Sequence, residues 1–238
     1  MIHYRIARLF SLPLTLSEGL PMIVYKRDKN LIWKLDHIRF LFPPDDFTGS
    51  FANARMQERH EAMQQEKVKE LVDHLEKHTD PLEAMLGLHP LDHLQFLQNN
   101  LEQFRRAQRL EKAVLSLYFR KNTPFAAAGD YEVWKSLFAA CDRERLTAEG
   151  KRFPYDRVTA YHGSVIDNPK GLCWTVSREE AAWFLSRWQD KSLGGGTVFA
   201  LDITRQDILV YIEDGKRQEV ILKPEVAEMA QPRAIEQL

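Results

Sequence analysis

Three short pieces in the C-terminal part of the chain carry residue types that could bind a nucleotide and act on a sugar. In the first, His162 ends a β-prone run and precedes Gly163, which lets a flat ring or an amide approach the backbone. The second places the hydroxyls of Thr175 and Ser177 where a strand turns into a helix, a position that suits an anion. The third is Glu219, a carboxylate at the start of an apolar strand, which could bind a sugar hydroxyl or stabilise positive charge on a ribose.

Each of these residues also has a purely structural interpretation. The histidine can be satisfied within the fold, Ser177 can simply cap a helix, and Glu219 can lie on the surface of an edge strand. Trp183 and Phe184 are most simply the apolar face of the helix that follows the second piece.

The strands that must position these residues are predicted from runs of β-branched and aromatic residues. There are five of them, at 157–161, 172–176, 197–203, 208–212 and 218–222. A helix at about 177–188 follows the second strand, and Ser177 and Glu180 have the spacing of a capping box at its start. Residues from Pro224 onward are predicted to be a weakly ordered tail.

Most of the first 150 residues have helical patterns instead. Three helices are predicted, at about 53–78, from Pro90 to about residue 122, and at about 131–142. A hairpin is predicted within 22–33 and a proline-rich loop at 42–47. A helical region followed by a run of strands indicates an α+β fold.

Composition narrows the class of protein without choosing a function. The chain has 238 residues, a formal net charge of −1, 44% hydrophobic and 28% charged residues, which is ordinary for a soluble globular protein. This charge gives no overall attraction to nucleic acid or to an anionic membrane, although a local basic face remains open. Two cysteines without a paired spacing favour a reducing compartment, so we expect a cytoplasmic protein. No apolar run reaches the ~20 residues that span a bilayer, and the N-terminus is only faintly like a signal peptide.

Two pairs of histidines have the spacing of metal ligands on a helix, His74 with His78 and His89 with His93. No glutamate stands in the register of a His-Glu-x-x-His motif, and Pro90 breaks the helix of the second pair. We therefore predict no metal site and interpret the pairs as solvated helix faces.

In their order and context, the three pieces resemble the ADP-ribosyltransferase superfamily over residues 156–224. The resemblance consists of the strand ending in His-Gly at 162–163, the Cys-Trp-Thr run at 173–175 leading into a helix with Ala-x-x-Phe, and the Glu-Val-Ile strand at 219–221. It implies a split, mostly antiparallel β-sandwich that holds NAD in a central cleft. Toxin-like members have arginine at the first position, where this chain has histidine.

The resemblance also implies how NAD would be bound. His162 would hydrogen-bond the NAD ribose, and Gly163 would offer backbone groups to the nicotinamide amide. Thr175, with Ser177 near it, would match the middle-strand hydroxyl that supports the site. Trp183 or Phe184 would pack against the nicotinamide.

The catalytic residue implied by the resemblance is Glu219. It would hold the 2′-hydroxyl of the nicotinamide ribose and stabilise the oxocarbenium-like transition state as nicotinamide leaves. The residue two positions earlier helps to choose the acceptor and is usually Glu or Gln, whereas here it is Arg217. A cation at this position fits an anionic target such as nucleic acid better than an arginine side chain.

These implications combine into one expectation for the whole chain. Residues 151–224 would form the catalytic core of an NAD-dependent mono-ADP-ribosyltransferase, residues 1–150 a helical region that recognises a target or a partner, and residues 225–238 a tail. The acceptor would be protein, RNA or DNA, and by analogy the enzyme would be an intracellular toxin or defence effector, with an antitoxin as a candidate partner. Two alternatives stay open: an NAD glycohydrolase, and a non-catalytic interaction protein with a degenerate version of this fold.

Overall fold

The structure is a computed structural model that describes residues 32–35, 54–120, 130–165, 168–188, 196–215 and 217–237. The predicted proline-rich loop and nearly all of the predicted hairpin lie outside these residues. The chain divides into two compact units, Met1–Ala113 and Val114–Leu238. The predicted boundary near residue 150 therefore falls within the second unit.

The described part of the first unit is helical. Its helices are α1 (Ala54–Lys77), α2 (Pro81–Leu86), α3 (His93–Asn99) and α4 (Leu101–Arg106), with a 3₁₀ turn at Pro90–Asp92 and the start of α5 (Leu110–Arg120). The buried Trp33 anchors this unit, because its indole donates to the carbonyl of Leu75 at 3.0 Å and its ring lies 5.6 Å from that of Phe96. The first predicted helix, at about 53–78, is confirmed as α1.

The predicted second helix is wrong as a single element, because two residues divide it. The amide of Lys34 donates to Asn100 Oδ1 at 2.7 Å, and Asn100 Nδ2 donates to the carbonyl of Lys34 at 2.9 Å. The buried Asn100 side chain thus forms hydrogen bonds with the backbone of a residue distant in the chain, at the point where α3 ends. Gln108 has φ 57°, a left-handed conformation that stops α4 before α5 begins.

The second unit adds helices α6 (Tyr131–Ala140), α7 (Arg143–Ala148), α8 (Arg178–Trp188) and α9 (Pro224–Met229). The third predicted helix is confirmed as α6. It begins where Asp130 caps the amide of Val133 at 2.9 Å, and it ends before Asp142, which caps α7 through the amide of Arg145 at 3.0 Å.

Six strands form one antiparallel sheet in the order β4-β5-β2-β1-β3-β6. They are β1 (Arg157–Ser164), β2 (Cys173–Thr175), β3 (Thr197–Thr204), β4 (Ile208–Asp214), β5 (Arg217–Leu222) and β6 (Arg233–Gln237). The five predicted strands are confirmed, as is the mixture of helix and antiparallel sheet. The predicted tail is wrong, since residues 224–237 form α9 and an edge strand that pairs with β3.

The sheet is nearly divided between β1 and β2. Every residue of β1 has a partner in β3, whereas β1 and β2 share one register pair, Tyr161 with Thr175. The sheet thus consists of two three-stranded halves, β4-β5-β2 and β1-β3-β6, joined at a single point. The three pieces singled out in the sequence lie on the adjacent strands β1, β2 and β5.

Helix α8 packs closely on β1 and β3. Its buried residues Ala181 and Leu185 contact Val165 and Val198. A Cβ atom at Gly163 would lie 2.5 Å from the carbonyl oxygen of Ala181, so this glycine is required by the close approach of the helix. Among the described residues, none of the helices combines the length and hydrophobicity that crossing a membrane requires.

Candidate active site

Glu219 lies in the interior of the β4-β5-β2 half of the sheet. Its strand partners are Thr175 on β2 and Ile212 on β4, and 17% of its side chain is exposed. Its Oε1 accepts from Nε of Arg217 at 2.7 Å, while its buried Oε2 has no conventional hydrogen-bond partner among the described residues. Besides Arg217, the carboxylate has the thiol of Cys173 as a weak donor.

The surroundings of Glu219 oppose its ionisation. Burial is the largest influence and raises the pKa of this carboxyl, and the negative charge of Glu180 raises it further. The hydrogen bond and positive charge of Arg217 lower it, as does the weakly donating thiol of Cys173, but the pKa remains above its ordinary value. A positive charge or a hydrogen-bond donor brought beside this carboxylate therefore stabilises its ionised form.

Thr175 connects the strand partner of Glu219 to the start of α8. Its hydroxyl donates to Oε2 of Glu180 at 2.7 Å and accepts from the amide of Ser177 at 3.1 Å. The Ser177 hydroxyl in turn accepts from the amide of Glu180 at 3.1 Å, which confirms that it caps the helix. In the other half of the predicted capping box, the Ser177 amide would donate to the Glu180 carboxylate. Here the Ser177 amide donates to the Thr175 hydroxyl instead, and that hydroxyl donates to the Glu180 carboxylate.

Two helix residues at this site have no signal in the sequence. Burial raises the pKa of the Tyr118 hydroxyl well above its usual range, and nearby Cys173 and Glu219 raise it further. The guanidinium of Arg217 lies 5.4 Å from the ring centroid of Phe119. The end of α5 therefore covers the Glu219 side of the sheet, and only the tertiary structure reveals it.

His162 also contacts β2, but on the opposite face of the sheet from Glu219. Its Nδ1 lies 3.1 Å from the carbonyl oxygen of Cys173, and since a carbonyl only accepts, Nδ1 carries the proton in this contact. The imidazole also lies 5.3 Å from the ring of Trp174 and directly against Gly171. Strand alternation places His162 with Trp174 on one face and Glu219 on the other. The backbone of Cys173 therefore separates the first motif from the third.

The other two residues proposed for NAD binding are Gly163 and Trp183. Gly163 is buried under α8. Trp183 is 60% exposed on the side of α8 away from Ala181, with the guanidinium of Arg187 over its ring at 4.8 Å. The interpretation of Trp183 as a core residue is therefore wrong.

Three of the four histidines with metal-ligand spacing have ring hydrogen bonds within the protein, namely His74, His89 and His93. His74 Nε2 lies 3.0 Å from the carbonyl oxygen of Glu83, and His89 Nδ1 accepts from the amide of Leu91 at 3.1 Å. His93 is buried, which corrects its interpretation as part of a solvated face. No cluster of three or more metal-ligating side chains occurs among the described residues.

Comparison of the chain with protein-family models, with curated proteins and with solved structures finds no match. A buried carboxylate beside a hydroxyl and a second carboxylate can hold a sugar hydroxyl and stabilise positive charge that develops nearby.

Exchange of Arg217 for glutamine should move the titration of Glu219 to higher pH. The arginine lowers the pKa of this carboxyl, so its removal leaves burial and Glu180 to raise it unopposed. Carbon-13 NMR of the Glu219 carboxyl measures the midpoint. Arg178→Gln, which removes an ion pair to Glu236 instead, is the control and should leave the midpoint in place. An unchanged midpoint in Arg217→Gln would show that the ion pair does not form in solution.

Proposed function

We propose that the chain is an NAD-dependent mono-ADP-ribosyltransferase that transfers ADP-ribose to a macromolecular acceptor. The bond between the nicotinamide nitrogen and the ribose breaks, nicotinamide leaves with the electron pair, and the acceptor takes the ribose carbon. The ribose carries positive charge in the transition state, and stabilising that charge is the main task of the protein.

The placement of Glu219 carries this proposal. Its carboxylate is mostly withdrawn from water, where an electrostatic interaction with a developing cation is stronger than at the surface. Its buried Oε2 has no conventional hydrogen-bond partner among the described residues, and a substrate hydroxyl would reach it once a neighbouring side chain moves. In this proposal Oε2 accepts a hydrogen bond from the 2′-hydroxyl of the nicotinamide ribose.

The fold supports the same function in part. The resemblance implies a split, mostly antiparallel β-sandwich. The described strands form one antiparallel sheet instead, and its two halves share the single register pair of Tyr161 and Thr175. The three motifs occupy adjacent strands. Thr175 stands directly beside Glu219, as the supporting hydroxyl should.

The resemblance assigns roles to the remaining residues. His162 would bind the NAD ribose, although strand alternation places it on the face of the sheet opposite Glu219. The exposed Trp183 offers a ring to stack on, whereas the amides of Ser177 and Glu180 are bound within the helix cap. Arg217 influences the acceptor, and its charge favours an anionic one. By analogy with toxin-like members, the helical residues before 150 would recognise the acceptor or an antitoxin.

The first experiment uses purified protein, NAD labelled in the adenylate phosphate, and a whole-cell lysate that is afterwards separated into protein, RNA and DNA. Label in one fraction, absent with Glu219→Gln, identifies a transferase and its target class. Free ADP-ribose alone would indicate an NAD glycohydrolase. Intact NAD in every fraction would contradict both enzymatic functions.

Exchange of His162 for alanine should weaken NAD binding at least several-fold and leave the protein folded. Gly171→Ala should have the same direction of effect, because its new Cβ would lie 2.8 Å from the imidazole and must displace it. Isothermal titration with NAD measures both. Equal affinity in all three proteins would assign His162 to the structure of the fold alone.

One observation favours a second candidate, a non-catalytic interaction protein. The 2.7 Å ion pair with Arg217 neutralises the carboxylate that catalysis needs. Thermal unfolding with and without NAD distinguishes the two, because a ligand that binds the folded state raises its melting temperature. No shift at millimolar NAD would favour the interaction protein.

A further inference from the structure

Glu180 is held in a defined position next to the proposed catalytic strand. Its backbone amide donates to the Ser177 hydroxyl at 3.1 Å, and its carboxylate accepts from the Thr175 hydroxyl at 2.7 Å. Thr175 is oriented in turn by the amide of Ser177. The side chain is therefore fixed at both ends as part of the helix cap.

The same carboxylate lies within electrostatic reach of Glu219. Thr175, its hydrogen-bond donor, is the direct strand partner of Glu219, and such neighbours have Cβ atoms about 4.5–5.5 Å apart. The negative charge of Glu180 also acts on both members of the Arg217–Glu219 ion pair. Two carboxylates thus face one small region from different elements, α8 and β5.

The environments of these two carboxylates differ. Glu219 is 17% exposed and paired with a guanidinium, whose charge favours the ionised carboxylate against the burial that opposes it. Glu180 is half-buried, open to solvent, and anchored by a neutral hydroxyl. Carboxylates in contrasting environments commonly divide the work of a reaction, one as an electrostatic group and the other as an acid or base.

We propose that Glu180 is the general base of the transfer step, a role that rests on the proposed function. As the bond between nicotinamide and the ribose breaks and nicotinamide leaves with its electron pair, an N–H or O–H group of the acceptor attacks the ribose carbon. Its proton passes to the Glu180 carboxylate and from there to water. Nothing is oxidised or reduced, and one proton is released for each ADP-ribose transferred.

The position of Glu180 compensates for a feature of β5. Arg217 stands two residues before Glu219 and cannot accept a proton, because a guanidinium stays charged. Glu180 supplies a carboxylate to the same surroundings from the neighbouring helix. Its neighbour Glu179 is exposed and accepts from the Ser177 hydroxyl at 3.0 Å, so it offers a matched control one residue away.

The test compares the wild type with Glu180→Gln, Glu179→Gln and Glu219→Gln. Two rates are measured with labelled NAD and the lysate fraction that the wild type labels: nicotinamide release and incorporation of label. Glutamine at 180 can still accept from Thr175, so the fold and NAD-dependent thermal stabilisation should persist. Incorporation should fall about 10²-fold, the usual contribution of a general base, while nicotinamide release stays within a few-fold.

Further results separate a base from a merely structural residue. Glu179→Gln should retain both rates, and Glu219→Gln should lose both. Added formate should restore part of the incorporation in Glu180→Ala, because a small carboxylate can take the place of the missing base. If the wild type makes only free ADP-ribose, the attack by water needs no base and Glu180→Gln should leave this rate within a few-fold. A loss of about 10²-fold would place Glu180 in nicotinamide release and reject it as the base of transfer.

The outcomes that overturn the inference are distinct from failure of the proposed function. Wild-type incorporation in Glu180→Gln, or an equal loss in Glu179→Gln, would reject Glu180 as the base and leave the transferase intact. No nicotinamide release by the wild type would reject the transferase itself and, with it, this role.

Discussion

Replacement of Glu219 by glutamine is expected to reduce nicotinamide release by about 10³-fold, with the protein still folded. The loss follows from removing the negative charge that faces the ribose cation, a contribution that reaches this size when a preorganised group is deleted. Glutamine keeps the shape of the side chain and an oxygen that can accept from Nε of Arg217. The geometry of β5 should therefore survive the exchange.

The sign of the pKa shift agrees with a folded variant. Because the folded protein raises the pKa of Glu219, it binds this proton more tightly than the unfolded chain does. The stability contribution of the group therefore decreases as pH rises from its ordinary pKa through the raised one, and above both values the ionised carboxylate destabilises the fold. A neutral glutamine removes that penalty at neutral pH.

Nicotinamide release by the purified variant, measured by chromatography, together with a thermal melt, decides the matter. Glu213→Gln is the matched control: it removes a carboxylate on β4 that is 38% exposed and lies 3.3 Å from Lys151. This control should retain wild-type release. Full activity in Glu219→Gln would show that the catalytic carboxylate has been assigned to the wrong residue.

The strands could be predicted from the sequence because their signal is local. Runs such as 197–203 and 218–222 contain the β-branched residues that fit a pleated, half-buried surface, and turn residues separate them. The pairing of Thr175 with Glu219 was not predictable in this way, since residues far apart in the chain meet through sheet order alone. The same holds for Tyr118, whose hydroxyl approaches the site from a helix without any motif.

Other differences arise where a tertiary contact overrides a local pattern. Residues Pro90 to about 122 repeat apolar side chains at helical spacing, yet Asn100 gives its side chain to the backbone of Lys34 and ends α3. The segment after Pro224 lacks a strong strand pattern but gains partners along the open edge of β3. In both cases the deciding interaction involves a distant part of the chain.

Exchange of Gly163 for alanine is expected to destabilise the second unit by about 1–3 kcal/mol, the usual cost of forcing extra atoms into a packed core. Elsewhere in a strand such a change would more often stabilise, because glycine weakens strand interiors. Here the added Cβ would lie 2.5 Å from the carbonyl oxygen of Ala181 and 3.3 Å from Cβ of Leu185. Backbone cannot rotate away as a side-chain tip can, so α8 must move.

Chemical denaturation of the full chain measures this effect, with Gly171→Ala as the matched control. The Cβ of that variant meets only the imidazole of His162 among its nearest atoms, and a side chain can adjust at lower cost. Gly163→Ala should therefore unfold at a clearly lower denaturant concentration than Gly171→Ala. Because α8 carries Glu180 and is capped by Ser177, displacement of the helix should also reduce ADP-ribose transfer. Equal stability of the two variants would mean that α8 does not press on β1 at this point, and the position inferred for Glu180 would lose its support.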